Sequence, residues 1–174
     1  MTRVLLAYDG TDPGAAAIEH AARLLSAREA LVACAWIPVQ ALDRRDPIAA
    51  YLEALTPPAH ELDEIARDEA HSRASKGAQL AEAAGMIEVT TRVLRAAHGV
   101  WRALLETADH DDVDAIVVGT GSAARLEGRL LGSTARALVS HSDRPVLAIP
   151  PAATPAPDLT PSTARSTTCR PPLS

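Results

Sequence analysis

The feature that most constrains this chain is the regular alternation of short apolar runs with longer segments of helical periodicity. The runs are continuous rather than alternating, as is typical of parallel strands buried on both faces. Five strands are predicted, over residues 3–8, 31–37, 87–94, 115–118 and 146–149. Four helices are predicted between them, over residues 14–28, 57–84, 100–108 and 133–141. This order predicts an α/β fold with an open, doubly wound parallel sheet and right-handed crossovers.

The composition separates a folded domain from a tail. Residues 1–150 are long enough for one domain, and only 2% of the chain is aromatic, so Ala, Leu, Val and Ile must form its core. Residues 151–174 hold six of the 13 prolines, together with many Ser and Thr and little apolar bulk. We therefore expect a disordered Pro/Ser/Thr-rich tail after a single domain.

Charge and cysteine content limit the partners and the compartment. A net charge of −5 would repel nucleic acid and anionic membranes, and the apolar stretch near the N-terminus is too short for a span or a signal peptide. Cys34 and Cys169 form neither a disulfide framework nor a metal-binding spacing, and the six histidines are scattered. The expectation is a cytoplasmic protein with no metal-ligating residues of its own and no nucleic-acid or membrane partner.

The loop after the fourth predicted strand holds four of the nine glycines, within residues 119–132. In an open α/β sheet, ligands bind beyond the carboxyl ends of the strands, so this loop is a candidate site. At its end, Gly132, Ser133 and Thr134 stand where the fourth helix starts, and free amides and hydroxyls at a helix start suit phosphate. The alternative is that Gly132 ends a turn and Ser133 only caps the helix.

Two better-known phosphate loops are excluded. The chain has one lysine, Lys76, so the Walker A lysine before Ser or Thr is missing. After the first strand, residues 8–12 offer one glycine and two acids instead of a dinucleotide fingerprint. Asp9 is better suited to accept a hydrogen bond from a base or a sugar than to hold phosphate.

Three segments together resemble universal stress proteins: residues 5–11, the glycine-rich loop and residues 141–149. The family's ATP-binding members carry the pattern G-x2-G-x9-G-S/T. Gly119, Ser122, Gly132 and Ser133 fall at that spacing, with Ser122 in place of the second glycine and Gly121 just before it. A positive φ would cost more at Ser122 than at a glycine, unless the turn shifts by one residue.

The resemblance implies the strand order 3-2-1-4-5, with helices on both faces, and a nucleotide site. Asp9 and the backbone of Ala35 are expected at the adenine and ribose. The expected cofactor-binding set is Ala7, Asp9, Ala35, Val118, Gly119, Ser122, Gly132, Ser133 and Thr134. Arg125 and Arg129 are candidate phosphate contacts, although exposed loop arginines are more often only solvated. Mg²⁺ would accompany ATP through the phosphates.

The favoured interpretation is a regulatory stress-response module that binds ATP or another adenine nucleotide with little or no hydrolysis. Nothing near residues 119–133 offers an obvious general base beyond Glu127, so no catalytic residue is assigned. Two alternatives stay open: a member that lacks nucleotide binding and acts through protein contacts, and an ATP-using enzyme of the adenine nucleotide α-hydrolase type. The resemblance also implies a homodimer through the last strand, which would otherwise be an unpaired edge.

Overall fold

The computed structural model describes residues 2–25, 27–41, 57–121 and 132–150. Strands and helices alternate along them. The five strands are β1 (Arg3–Ala7), β2 (Glu29–Trp36), β3 (Glu88–Arg95), β4 (Ala115–Gly119) and β5 (Val146–Ile149). The helices are α1 (Asp12–Leu25), α2 (Ala59–Ala83), α3 (Val100–His110) and α4 (Ser133–His141), with a short 3-10 helix at Val39–Ala41. The predicted tail, residues 151–174, lies outside the described residues.

The strands form one parallel sheet in the order β3-β2-β1-β4-β5. In the centre, Leu5 of β1 is in register with Leu31 of β2 on one side and with Ile116 of β4 on the other. The order of the sheet reverses at β1, because the chain moves outward to β2 and β3 and then returns to β4. The predicted fold class and strand order are confirmed.

Several predicted ends are displaced by a few residues. Helix α1 begins at Asp12 rather than residue 14 and ends at Leu25 rather than residue 28. Strand β2 begins at Glu29 rather than residue 31, because Glu29 pairs in register with Arg3 of β1. Hydrophobicity locates the buried centre of a strand, whereas backbone pairing decides where the strand ends.

Each face of the sheet is covered by two helices. Alternate residues of the strands contribute to the two cores, so that Leu6 faces α1 and α2 while Leu5 faces α3 and α4. The first core is built from small residues on the helices, including Ala70 and Ala74 of α2. The near absence of aromatic residues therefore matches helices that pack close to the sheet.

The edge of the sheet at the amino ends of the strands is held by charged contacts. The backbone amide of Arg3 donates to Asp114 at 2.7 Å, and the Arg92 guanidinium is 2.8 Å from the Asp111 carboxylate. Arg144 donates to the carbonyl oxygen of Val113 at 2.7 Å. The contacts of Arg3 and Arg144 join β1 and the segment before β5 to the segment before β4, and the Arg92 pair joins β3 to the end of α3. Among the helices that the structure describes, none is long and apolar enough to cross a membrane.

Candidate functional site

A cavity of about 290 Å³ opens at the carboxyl ends of the strands, next to the point where the strand order reverses. Its volume is at the lower end of small-ligand pockets, which are roughly 300–1,000 Å³. The ends of β1, β2 and β4 form its floor, and the starts of α1 and α4 form part of its wall. It is lined by Ala7, Tyr8, Asp9, Thr11, Pro13, Gly14, Ala33, Ala35, Arg73, Val100, Leu104, Val118, Gly119, Thr120, Gly121, Gly132, Ser133, Thr134 and Ala135.

The fold brings most of the sequence-predicted site residues together in this cavity. Eight of them line it: Ala7, Asp9, Ala35, Val118, Gly119, Gly132, Ser133 and Thr134. They come from four segments that are distant in sequence: residues 7–9, residue 35, residues 118–119 and residues 132–134. The three others, Ser122, Arg125 and Arg129, lie outside the described residues.

Asp9 stands at the end of β1 and shapes the turn into α1. Its Oδ1 accepts hydrogen bonds from the backbone amide of Thr11 at 3.0 Å and from the Thr11 hydroxyl at 2.6 Å. This is an Asx-type turn, which explains why a short acidic residue follows the strand. An ionised carboxylate has about four lone-pair sites, so Asp9 keeps capacity to accept further bonds from a ligand.

Gly119 ends β4 where two backbone segments meet closely. A Cβ at this position would come within 3.0 Å of the Pro13 carbonyl oxygen and 3.3 Å of the Gly14 nitrogen. The absence of a side chain therefore lets the β1–α1 turn pack on the end of β4. Two residues later, Gly121 has a φ of +63°. A left-handed conformation in this turn is thus adopted by a glycine, where it costs little.

The start of α4 supplies donors to the same cavity. Gly132 is the N-cap residue with a φ of −63°, and among the described residues no side chain caps this end of the helix. The first intrahelical bond of α4 runs from the Arg136 amide to the Gly132 carbonyl at 3.0 Å. The preceding amides of residues 133–135 have no partner in the helix, and the helix dipole adds positive potential there. This arrangement can receive an anion.

The sequence interpretation missed Arg73, on α2. Its Nη2 lies 3.5 Å from the carbonyl oxygen of Ala35, and its Nε is buried without a hydrogen-bond partner among the described residues. The only sequence signal is its position beside the buried stripe of α2, formed by Ala70, Ala74, Gly77 and Ala81. A residue next to such a stripe borders the sheet, but periodicity alone does not indicate that it reaches a strand end.

Two titratable groups beside the cavity have raised pKa values. Burial raises the pKa of the Cys34 thiol to about 11, with the Arg73 guanidinium acting in the opposite direction and the Asp9 carboxylate adding to the rise. Burial also raises the pKa of the Tyr8 phenol, with further contributions from Cys34, Asp9 and Asp12. Both groups are therefore neutral near pH 7, and neither adds a charge beside Asp9.

The comparisons with known proteins agree on the fold. The model of the universal stress protein family matches residues 1–150. Among solved structures, the universal stress protein UspA from Lactobacillus plantarum has a TM-score of 0.61 at 19% identity, covering 85% of this chain and 97% of that one. No curated protein sequence matches the chain.

Two further solved structures are complexes. A universal stress protein in complex with cAMP has a TM-score of 0.56 at 23% identity, covering 85% of this chain and 96% of that one. The universal stress protein from Archaeoglobus fulgidus in complex with dAMP has a TM-score of 0.53 at 20% identity, covering 86% and 97%. At these identities the likeness establishes the fold, and the family match extends over the whole described domain. The chain belongs to the universal stress protein family.

Proposed function

We propose that this protein binds an adenine nucleotide, with ATP as the expected ligand, and serves as a regulatory stress-response module. The observation that carries the proposal is the cavity at the carboxyl ends of the strands, which combines an acceptor, Asp9, with the amides at the start of α4. The cavity wall between them is largely apolar and suits a base. The cAMP and dAMP complexes of fold relatives support the ligand class.

The residues available would hold the two ends of a nucleotide differently. Asp9 and the Ala35 backbone would bind the nucleoside, while Gly119 and the amides at the start of α4 would hold phosphate. Gly132 fits a close approach because its missing side chain leaves the N-cap open. Mg²⁺ would be bound mainly by phosphate oxygens and water, since the described cavity lining contains a single carboxylate, Asp9.

We propose binding rather than turnover. Hydrolysis needs a placed general base beside the terminal phosphate. Within the part of the lining that the structure describes, Asp9 is the one carboxylate candidate, and its Oδ1 already accepts hydrogen bonds from Thr11. The proposal also includes a cytoplasmic location, consistent with the buried free thiol of Cys34, and a homodimer through β5.

The test is to identify and then titrate the ligand. Purified protein is denatured and the released nucleotide is identified by mass spectrometry, after which ATP and AMP are titrated by calorimetry. Gly132→Val should abolish phosphate-dependent binding, because the branched valine side chain would occupy the space beside the N-cap. The φ of −63° at this position is one that valine adopts, so the variant should still fold. Ser140→Val, at the exposed far end of α4, is the matched control and should bind as the wild type does.

Three other results would contradict the proposal. Equal absence of binding in the wild type and in Gly132→Val would exclude ATP and favour a member that acts through protein contacts alone. Equal binding by both proteins would mean that the phosphate does not lie at the start of α4. Steady-state release of AMP and pyrophosphate with an acceptor would favour an ATP-using enzyme.

A further inference from the structure

The hydrogen-bond pattern of the sheet explains why the backbone of Ala35 faces the cavity. Along a strand, successive residues direct their backbone groups to opposite sides. The Ala33 carbonyl accepts from the Tyr8 amide on the β1 side, and the Trp36 carbonyl accepts from the Ala96 amide on the β3 side. Ala35 therefore faces the β1 side. Because β1 ends at Ala7, which is in register with Ala33, the Ala35 amide and carbonyl project past the end of that strand.

An amide donor next to a carbonyl acceptor complements the edge of adenine. The 6-amino group of adenine donates and its N1 accepts, whereas a 6-oxo purine presents the reverse pattern at the same two positions. A free Ala35 backbone would thus favour a 6-amino purine over a 6-oxo purine.

In this chain the Ala35 carbonyl is shared with Arg73, which reaches it from α2. The stem of Arg73 crosses the turn after β1 at Gly10, where a Cβ would come within 2.8 Å of the Arg73 Cδ. The Nη2 atom then lies 3.5 Å from the Ala35 oxygen. A carbonyl oxygen has two lone pairs, so Arg73 occupies one of them and places donors, with no acceptor, beside the other.

The charges that line the cavity indicate which part of a nucleotide Arg73 would contact. Among the described residues that line the cavity, Arg73 is the one cation and Asp9 the one anion. Arg73 contacts the end of β2 and the turn after β1, whereas the open helix start belongs to α4 beyond β4. The guanidinium is therefore placed at the nucleoside end of the cavity and away from the expected phosphate end.

We propose that Arg73 is a specificity-determining residue: by capping the Ala35 carbonyl, it relaxes selectivity for adenine and admits 6-oxo purine nucleotides. The inference rests on the proposed nucleotide binding. Removing the guanidinium frees an acceptor for the 6-amino group and deprives a 6-oxo group of its donor, so both changes shift the preference toward adenine.

The experiment compares ATP with ITP, which differ only at the purine 6-position and N1. Dissociation constants are measured by calorimetry for the wild type, Arg73→Met and Arg67→Met. Arg67 is exposed on the same helix and does not line the cavity, so it controls for the loss of a positive charge. Thermal unfolding of the three proteins checks that each is folded.

We expect the wild type to bind ATP and ITP with similar affinity. In Arg73→Met the ratio Kd(ITP)/Kd(ATP) should rise by about tenfold, the usual effect of one hydrogen bond to a charged group. Arg67→Met should keep the wild-type ratio. AMP and IMP should show the same rise as the triphosphates, because the contact is with the base.

An unchanged ratio in folded Arg73→Met would overturn the inference. If ATP and ITP weaken together, and more than AMP and IMP, then Arg73 acts on the phosphates instead of the base. In both cases the proposed nucleotide binding would stand. Failure of the wild type to bind any of the four nucleotides would overturn both proposals.

Discussion

Single residues decide which groups in the cavity are charged and which hydrogen bonds a ligand can make. Asp9 is anchored by Thr11, Arg73 lies over the Ala35 carbonyl, and the Cys34 thiol is buried beside both. The thiol is neutral near pH 7, and Cys34 is fully inaccessible to solvent at 0% exposure. Its ionisation is therefore linked to the stability of the fold.

The raised pKa of Cys34 predicts an alkaline loss of stability. The unfolded thiol has a pKa of 9.0 and the folded one about 11. Between these values the unfolded chain binds fewer protons, so the free energy of unfolding falls as pH rises through this window. The stabilisation by the neutral thiol is present in full below the unfolded pKa. About 2–3 kcal/mol is lost by the time the pH has risen through the folded pKa. The raised pKa of Tyr8 acts with the same sign.

The measurement is urea unfolding at about pH 8 and about pH 10.5, with the linear extrapolation of the free energy. Cys34→Ala should lose less stability between the two pH values than the wild type, whatever its stability at the lower pH. Cys169→Ser, which keeps Cys34, should behave as the wild type. An equal alkaline loss in Cys34→Ala would show that this thiol is not the group responsible.

At the scale of elements, α2 determines how closely the sheet can be covered. Its buried residues are Ala70, Ala74, Gly77 and Ala81, all small and all on one face. Their size lets the helix backbone approach β2, and this approach also brings Arg73 to the strand end. The packing of α2 and the composition of the cavity are therefore linked.

Gly77→Ala should destabilise the protein although alanine is the better helix former. A Cβ at residue 77 would come within 2.8 Å of both Tyr8 Cδ1 and Val32 Cγ1, so the helix or these core side chains must move. Overpacking of this kind lowers the free energy of unfolding by about 1–3 kcal/mol. The higher helix propensity of alanine acts in the opposite direction, by up to about 1 kcal/mol. Chemical denaturation measures the effect.

Lys76→Ala is the matched control for Gly77→Ala. Lys76 is adjacent and exposed, so its removal should change the unfolding free energy by less than about 0.5 kcal/mol. A Gly77→Ala variant as stable as the wild type or more stable would mean that α2 does not pack on Tyr8 and Val32 as described.

At the scale of the whole molecule, β5 forms one edge of the sheet. The backbone bonds of β4 go to Pro145 and Ile149, through the amides of Ile116 and Thr120. The alternation of backbone groups then directs the amide and carbonyl of Ala148 outward, away from β4. Among the described strands none pairs with this side of β5. An unpaired edge of this kind is a template for pairing with a second chain, which agrees with the proposed homodimer.

Ala148→Pro should convert the proposed dimer to a monomer. Proline removes an outward amide donor without removing a β4–β5 bond, and proline is tolerated on edge strands. Ala148→Ser keeps the amide and is the control. Light scattering after size-exclusion chromatography, in the tens-of-micromolar range, should give a dimer for the wild type and Ala148→Ser. A monomeric wild type would make the dimer proposal wrong.

Much of the fold was predictable from the sequence because continuous apolar runs and helical periodicity have direct physical causes. Each buried strand needs several adjacent apolar residues, and Gly132 before Ser133 is typical of a helix start. The candidate site was partly predictable for the same reason: strand ends and a glycine-rich loop can be located without coordinates. Element ends were less predictable, since Glu29 joins β2 through backbone pairing with Arg3 and not through its side chain.

The sequence by itself determined the α/β class, the order of the elements and the loops from which a site could be built. Only the tertiary structure decided that Arg73 belongs to that site. Arg73 stands 38 positions after Ala35, and its helix meets the end of β2 because Ala70, Ala74 and Gly77 are small enough to let the backbones approach. Such a contact depends on the distance between packed elements, which no local pattern along the chain encodes.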